Sequence, residues 1–273
     1  MIRDITLGQY FPGDSWVHKL DPRIKIIATL LFIIELFIVD NFIGFGIAAV
    51  VLGVIIAVSR VPVSYILRGL KPIMIILLFT FALNIFMVDG RILWQWKFLK
   101  ITAEGLELAV FMAIRLVLLL MGSSMLTLCT RPLALTDGIE RLLSPFKKIG
   151  LPAHDIAMMM TIALRFIPTL LEEADKIMKA QQARGADFES GGLVKRAKSL
   201  IPILVPLFIS AFRIASELAM AMEARCYHGG EGRTKMKPLR YVSRDRVAYA
   251  IVILYVAAVF VIGRYVPFHI WIF

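Results

Sequence analysis

Two arginines occur in matching short motifs towards the ends of two neighbouring apolar segments. The motifs are Ala183-Arg184-Gly185 and Ala224-Arg225-Cys226, and a shift of 41 residues places the first on the second. The same shift also matches alanine with alanine at 174 and 215 and at 180 and 221. A guanidinium forms forked, charge-assisted hydrogen bonds with carboxylates, so two such arginines are suited to binding in acidic grooves of a partner.

An arginine at the end of a helix also has a simpler interpretation. Its charge interacts favourably with the helix dipole, typically by about 0.3–1 kcal/mol. For one arginine this explanation is sufficient. Two arginines in matched contexts favour docking, with a partner that offers two similar pockets.

Residue types that could support catalysis or bind a metal are scattered along the chain. There are two cysteines, Cys129 and Cys226, and four histidines that lack partners at ligand spacing. The chain contains no phosphate-binding loop of the Gly-x-x-x-x-Gly-Lys-Ser/Thr type, so it is not expected to hydrolyse ATP itself. We therefore expect no catalytic residues, no metal site, no cofactor and no disulfide framework.

The elements that carry these motifs belong to a membrane protein. Of the 273 residues, 59% are hydrophobic, and the mean hydropathy is +0.79. Nearly uncharged runs of this length cross a bilayer as helices, because the backbone must satisfy its own hydrogen bonds there. The five runs cover residues 24–39, 42–58, 72–88, 108–128 and 247–262.

Basic residues flank these runs. The chain has 31 Lys and Arg against 20 Asp and Glu, a formal net charge of +11. The positive-inside rule explains this excess, so no nucleic-acid partner is expected. With the cation-rich connections in the cytoplasm, the N-terminus lies inside, residues 89–107 lie outside, and the chain ends outside with residues 267–273.

Two further stretches, 156–171 and 200–222, are apolar enough to suggest seven crossings. That topology would bury Arg165, Arg213 and Glu217, at about 2.5–3.5 kcal/mol for each arginine at the bilayer centre. Prolines at 168, 202 and 206 would also interrupt spanning helices. The helical periodicity of both stretches instead favours long amphipathic helices at the cytoplasmic interface.

The predicted fold is therefore an all-α polytopic membrane protein with about five transmembrane helices. Residues 1–130 hold the first four spans, residues 131–246 form a cytoplasmic helical region, and residues 247–273 hold the last span. Asp21-Pro22 is a favourable helix start, and Leu151-Pro152 opens the first amphipathic helix. That helix is expected to end near Gly185, and the second near Cys226.

The two arginine motifs resemble the paired Ala-Arg-Gly motifs of the T-component of energy-coupling factor vitamin transporters. The segment from His18 to Lys25, His-Lys-Leu-Asp-Pro-Arg-Ile-Lys, is similar to the signature that precedes the first span in that family. The likeness covers essentially the whole chain. It departs at Cys226, where the family usually has glycine, because a left-handed helix cap costs cysteine more than glycine.

The resemblance implies a scaffold in the plasma membrane of a prokaryote, without catalytic activity of its own. Its partners would be two ATP-binding-cassette ATPases, a small membrane-embedded substrate-binding S-component, and the lipid bilayer. Coupling helices would transmit ATPase motions to the S-component for uptake of a vitamin or metal ion. Arg184 would bind in one ATPase and Arg225 in the other, with Ala183 and Ala224 allowing close approach and Gly185 ending the helix.

Several other residues have open interpretations. Five methionines could form an adaptable S-component contact or could fill gaps between helices: Met158, Met159, Met178, Met220 and Met222. Arg115, inside the fourth span, is expected to be structural, either paired with Glu107 or reaching towards the interface. The alternative functions are a stand-alone channel or secondary carrier, and a membrane anchor that transports nothing.

Overall fold

The computed structural model describes residues 10–39, 41–96, 99–186, 188, 192, 194, 198–229 and 238–265. These residues are mostly helical, which confirms the predicted all-α polytopic fold. The elements are α1 (Pro22–Ile38), α2 (Phe42–Ser59), α3 (Val63–Leu70), α4 (Met74–Met87), β1 (Ile92–Trp96), β2 (Leu99–Thr102), α5 (Ala103–Cys129), α6 (Pro132–Leu143), a 3-10 helix (Ser144–Ile149), α7 (Ala153–Ala183), α8 (Ile201–Glu223) and α9 (Ser243–Tyr265).

The chain divides into two compact units. Of the described residues, those between 10 and 139 and between 239 and 265 form the first unit, and those between 140 and 238 form the second. In the first unit, α5 packs against each of α1 to α4, and α1 and α2 also contact α9. Its buried core includes Leu36, Phe45, Leu52, Ile66 and Leu128. In the second unit, the principal packing is between α7 and α8.

The start of α1 follows the predicted pattern. The Asp21 carboxylate accepts a hydrogen bond of 2.9 Å from the backbone N–H of Arg23, and Pro22 occupies the first helical turn. The N–H groups in the first turn of a helix have no partner within the helix. Proline, which has no N–H, therefore starts the helix without losing a hydrogen bond. The predicted helix start is confirmed.

Four described helices are long and apolar enough to cross a membrane, namely α2, α5, α7 and α8. A fifth candidate is α3 with α4, which are bent by 60° relative to each other. The count of four, or five with the bent pair, agrees with the predicted number, but the set differs: α1 and α9, which contain the predicted first and last spans, are not among these candidates. At 17 residues α1 is about 26 Å long, slightly less than a hydrocarbon core. These candidates are identified by length and composition alone, and the charges that flank a helix also determine whether it crosses the membrane. The interfacial placement of α7 and α8 therefore stays a prediction. The same holds for the three-part division of the chain at residues 130 and 246.

Two local features differ from expectation. The connection after α4 contains an antiparallel hairpin of β1 and β2, where no strand was predicted. In addition, α7 continues across Pro168 and α8 across Pro206, so the expectation that these prolines interrupt the helices is wrong. A proline removes one backbone hydrogen bond, and the remaining bonds and the packing of α7 on α8 keep each helix continuous.

Candidate functional site

The end of α7 has the hydrogen-bond pattern of a Schellman motif. The backbone N–H of Ala186 donates to the carbonyl of Gln181 at 3.0 Å, and that of Gly185 donates to the carbonyl of Gln182 at 2.9 Å. Gly185 has a φ of +88°, in the left-handed region that ends a helix. The predicted stop at Gly185 is confirmed, and Arg184 is the cap residue immediately before it.

The end of α8 repeats this geometry 41 residues later. The backbone N–H of Tyr227 donates to the carbonyl of Met222 at 3.1 Å, and that of Cys226 donates to the carbonyl of Glu223 at 2.8 Å. Cys226 has a φ of +55° and therefore adopts the left-handed conformation that Gly185 adopts in α7. The substitution of cysteine for glycine leaves the cap unchanged, and Arg225 has the same position as Arg184.

Both motifs face solvent. Ala183, Arg184 and Gly185 are exposed, as are Ala224, Arg225 and Cys226. Neither guanidinium forms a hydrogen bond or an ion pair with any residue that the structure describes. Each arginine therefore presents its donors and its charge outward, beside a small residue that allows a close approach.

The packing of α7 on α8 places the two ends far apart. The Tyr227 hydroxyl, just beyond α8, donates to the Sδ of Met158 near the start of α7 at 2.9 Å. The end of α8 therefore lies beside the start of α7. From Met158 to Arg184, α7 is about 39 Å long, since each helical residue rises 1.5 Å. The two arginine motifs lie near opposite ends of α7.

An apolar groove of about 350 Å³ runs between α7 and α8. Successive residues of α7 that are four apart form one wall, and small and aliphatic residues of α8 form the other: Met158, Ile162, Phe166, Leu170, Ala211, Ile214, Ala215, Leu218, Ala219 and Met222. Small side chains on α8 let the two helices approach closely.

The groove unites only two of the five predicted methionines. Met158 and Met222 line it. Met159 and Met220 are 59% and 62% exposed and lie outside the groove lining, and Met178 is half-buried elsewhere on α7. Among the described residues, the five methionines therefore do not form one continuous surface.

Arg115 has a structural position. Its Nη2 donates to the carbonyl of Val39 at the carboxyl end of α1 at 3.0 Å, and its guanidinium lies 5.2–5.9 Å from the rings of Phe37, Phe45 and Phe111. Positive charge at this helix end is favourable, and the rings add cation–π attraction. These contacts with the end of α1 and with three aromatic rings favour the expected structural role of Arg115.

Sequence reasoning missed a second polar contact within the spans. Glu35 on α1 is buried, and its Oε1 accepts a hydrogen bond of 2.6 Å from the hydroxyl of Tyr255 on α9. Its Oε2 has no hydrogen-bond partner in the described structure. The signal in the sequence was Glu35, a single acidic residue inside an apolar run. Its partner Tyr255 could not be predicted, because the two residues are 220 positions apart in the chain.

The segment His18–Lys25 joins three helix ends in the first unit. The Asp245 carboxylate of α9 accepts from the backbone N–H of Asp21 at 3.1 Å, and Arg23 lies 3.7 Å from the ring centre of Tyr241. Lys25 donates from Nζ to the carbonyl of Cys129, at the end of α5, at 2.9 Å. The motif therefore fixes the starts of α1 and α9 against the end of α5.

His18 forms part of the same cluster. Its Nε2 lies 3.0 Å from the carbonyl of Phe11, which can only accept, so Nε2 carries the proton and Nδ1 accepts from the hydroxyl of Ser15 at 2.6 Å. Burial lowers the pKa of His18 below its usual 6.5, which favours the neutral ring.

No group of three or more potential metal ligands occurs among the described residues. Cys129 is buried and Cys226 is exposed, and both are free thiols. The candidate functional site therefore consists of the two exposed helix ends and the groove between their helices.

Comparison with known proteins finds relatives that match this chain over nearly its full length. Residues 13–236 match the family model for a cobalt transport protein, CbiQ. The chain is 62% identical over 250 residues to the energy-coupling factor transporter transmembrane protein EcfT of Clostridium kluyveri, covering 91% of this chain and 93% of that protein. It is 47% identical over 261 residues to the protein of the same name from Bacillus subtilis, covering 95% and 98%.

The protein from Thermosediminibacter oceani with that name is 57% identical over 248 residues, which cover 91% of this chain and 94% of that relative. With identity at this level over nearly the full length of each relative, the chain belongs to the family of transmembrane components of energy-coupling factor transporters and is a multi-pass membrane protein.

Proposed function

We propose that this chain is the coupling scaffold of its transporter, with α7 and α8 as the coupling helices. Arg184 binds in a groove of one ATPase and Arg225 in the corresponding groove of the other. Opening and closing of the ATPase pair then moves the two helices relative to each other. The helices pass this motion to a substrate-binding membrane partner, which releases a vitamin or metal ion inwards.

The observation that carries the proposal is the identical geometry of two helix ends. Each presents an exposed arginine between a small residue and a left-handed cap, and the two ends lie near opposite ends of α7. Two equivalent surfaces at this separation suit two equivalent partners better than one. An acidic groove suits a guanidinium, which binds carboxylates in a forked geometry.

The groove between α7 and α8 supports contact with the membrane-embedded partner. It is apolar, it contains Met158 and Met222, and its shape depends on how the two helices cross. Methionine side chains adapt to different apolar surfaces, which suits a scaffold that serves several substrate-binding subunits. Movement of one helix against the other would change this surface, which links the ATPase contacts to the substrate-binding partner.

In this proposal the N-terminus and both arginine motifs lie in the cytoplasm and the chain ends outside. ATP hydrolysis belongs to the ATPases, and the chain has no catalytic residue of its own. Substrate selectivity belongs to the substrate-binding subunit.

Charge reversal at both helix ends tests the proposal. Arg184→Glu with Arg225→Glu places a carboxylate in each acidic groove, so co-purification of the ATPases with this chain should be lost. Either single substitution should leave one ATPase contact and reduce recovery of the ATPases. Membrane insertion, measured by the amount of chain in detergent-solubilised membranes, should be unchanged, because both side chains face solvent.

The matched control is Arg165→Glu with Arg213→Glu. These exposed arginines lie on the same two helices, about 28 Å and 18 Å along the helix from Arg184 and Arg225. The control has the same net charge and should retain the ATPases. Full recovery of the ATPases with the double variant at the helix ends would refute the docking of Arg184 and Arg225. ATP-independent substrate flux through liposomes that contain only this chain would refute the coupling role and favour a channel or secondary carrier.

A further inference from the structure

We propose that a cleft at the start of α1 is a binding site for a phosphate group, independent of the coupling role of α7 and α8. The cleft has a volume of about 190 Å³ and lies between the segment before α1, the first turn of α1, and the junction of α5 with α6. A water molecule takes about 30 Å³ in the liquid, so the cleft holds a group of several non-hydrogen atoms.

The charge of the lining favours an anion. Lys19, Lys25 and Arg131 line the cleft, and Asp14 is the carboxylate among its described lining residues. The Asp14 side chain is almost fully exposed and lies 3.6 Å from Lys19, at the surface rather than in the interior. Three cations against one solvated carboxylate give the cleft a net positive potential.

Lys25 is positioned to donate into the cleft. It is buried, and its Nζ donates to the backbone carbonyls of His18 at 3.0 Å and Cys129 at 2.9 Å. An ammonium has three protons, so one remains for a ligand. Asp21, which lies near Lys25 in the chain, already pairs with Arg23 at 2.7 Å. A buried ammonium held by neutral carbonyls would gain a counter-ion from a bound anion.

Thr130 provides the independent sign of a missing ligand. Thr130 is only 5% exposed and lines the cleft, yet its buried hydroxyl has no hydrogen-bond partner in the described structure. Buried hydroxyls are usually paired, because an unpaired one costs about 1–3 kcal/mol. A ligand oxygen in the cleft would accept from this hydroxyl.

The start of α6 adds backbone donors at the same place. Arg131 precedes the first residue of this 12-residue helix, Pro132, and Ala134 in the first turn lines the cleft. The first N–H groups of a helix have no internal partner and carry partial positive charge; in α6 these donors belong to Leu133 and Ala134, because Pro132 has no N–H. Two lysines, an arginine, a buried hydroxyl and a helix start are together suited to a tetrahedral oxyanion with several acceptor oxygens.

The phosphate could belong to a lipid headgroup or to a phosphate compound in solution. Thermal unfolding of the purified full-length chain in detergent distinguishes these two sources. One titration adds inorganic phosphate at constant ionic strength, with chloride as the compensating anion. The other adds phosphatidylglycerol to the micelles, with phosphatidylcholine, whose headgroup is zwitterionic, as the reference. Saturable stabilisation is expected from one of them, because a ligand that binds only the native state raises its stability.

Two variants test the assignment to this cleft. Thr130→Val removes the unpaired hydroxyl and keeps the side-chain volume, so the unliganded chain should unfold at the same or a higher temperature. The ligand concentration that gives half of the maximal stabilisation should rise by about tenfold. Lys19→Gln with Arg131→Gln should raise the same half-maximal ligand concentration by about tenfold or more. Lys71→Gln with Lys148→Gln is the matched control, with the same charge change at two exposed lysines that are not among the residues lining the cleft.

Stabilisation by phosphatidylglycerol alone would identify the ligand as a lipid headgroup. Stabilisation by inorganic phosphate would identify it as a soluble phosphate. Either result supports the site if Thr130→Val weakens the stabilisation. No saturable stabilisation by either probe would overturn the proposal. Equal responses of the wild-type chain, Thr130→Val and the lysine control would also overturn it. A lower unfolding temperature of unliganded Thr130→Val would mean that the hydroxyl has a structural partner instead, which contradicts its proposed role.

Discussion

At the residue scale, Cys226 has a backbone conformation that glycine adopts at the matching end of α7. A left-handed conformation costs a residue with a Cβ about 1–2 kcal/mol, and glycine avoids this cost. The Schellman bonds of α8 are nevertheless intact. The chain therefore tolerates strain at this cap to keep the geometry of the helix end.

This strain gives a prediction about stability. Cys226→Gly should stabilise the end of α8, raising the free energy of unfolding by about 0.5–1 kcal/mol after the greater chain entropy of glycine is subtracted. Cys226→Ala keeps the Cβ and should give no such gain. Thermal unfolding of the purified variants in detergent measures the difference. Equal stability of Cys226→Gly and Cys226→Ala would argue against strain at this position.

At the element scale, the contact between Glu35 and Tyr255 ties the first helix to the last. Tyr255→Phe removes the only hydrogen bond of the buried Glu35 carboxyl in the described structure, so it should destabilise the chain by about 1–3 kcal/mol. Adding Glu35→Leu removes the unpaired carboxyl as well and should recover much of the loss. Tyr249→Phe, on the same helix, changes an exposed hydroxyl contact and should cost less than 1 kcal/mol in thermal unfolding. A loss no greater than that of Tyr249→Phe would show that this contact contributes little.

The element scale also shows what the sequence could reveal. The starts of α1 and α7 and the end of α7 were predictable, because Asp21-Pro22, Leu151-Pro152 and Gly185 act through local backbone chemistry. The end of α8 was predictable from the match between its Ala-Arg motif and that of α7. The hairpin of β1 and β2 and the pairing of Glu35 with Tyr255 were not, because they depend on tertiary neighbours. The prolines were misread for the same reason, since packing keeps α7 continuous across Pro168.

The functional motifs divide in a similar way. The match between Arg184 and Arg225 was visible in the sequence, because both follow a helix with the same small residues. Their separation along α7 was not visible, because it depends on the contact of Tyr227 with Met158. The five methionines shared a residue type but not a location, and only two of them line the groove.

At the scale of the whole molecule, the chain combines a unit in which α5 packs against α1 to α4 with a second unit in which α7 packs on α8, and both units contain candidate membrane spans. In the proposed mechanism the first unit gives a fixed base, with α1, α5 and α9 joined by the segment His18–Lys25. The second unit supplies movement, because its groove depends on the crossing of two helices. The central claim is that each arginine end contacts its own ATPase.

The chain's own cysteines allow a direct measurement of this contact. Cys129 is buried and Cys226 is exposed, so a thiol-reactive photocrosslinker attached to the folded chain labels Cys226, next to Arg225. The double variant Cys226→Gly with Gly185→Cys moves the label beside Arg184. Cys226→Gly with Ile149→Cys gives a control label on the exposed 3-10 helix. Each labelled chain is then assembled with the ATPases and the substrate-binding subunit and illuminated.

We predict that labels at positions 185 and 226 both form crosslinks to an ATPase, whereas the label at position 149 forms far fewer. Crosslinks from either helix end mainly to the substrate-binding subunit, or to no partner in an assembled and active transporter, would contradict the account.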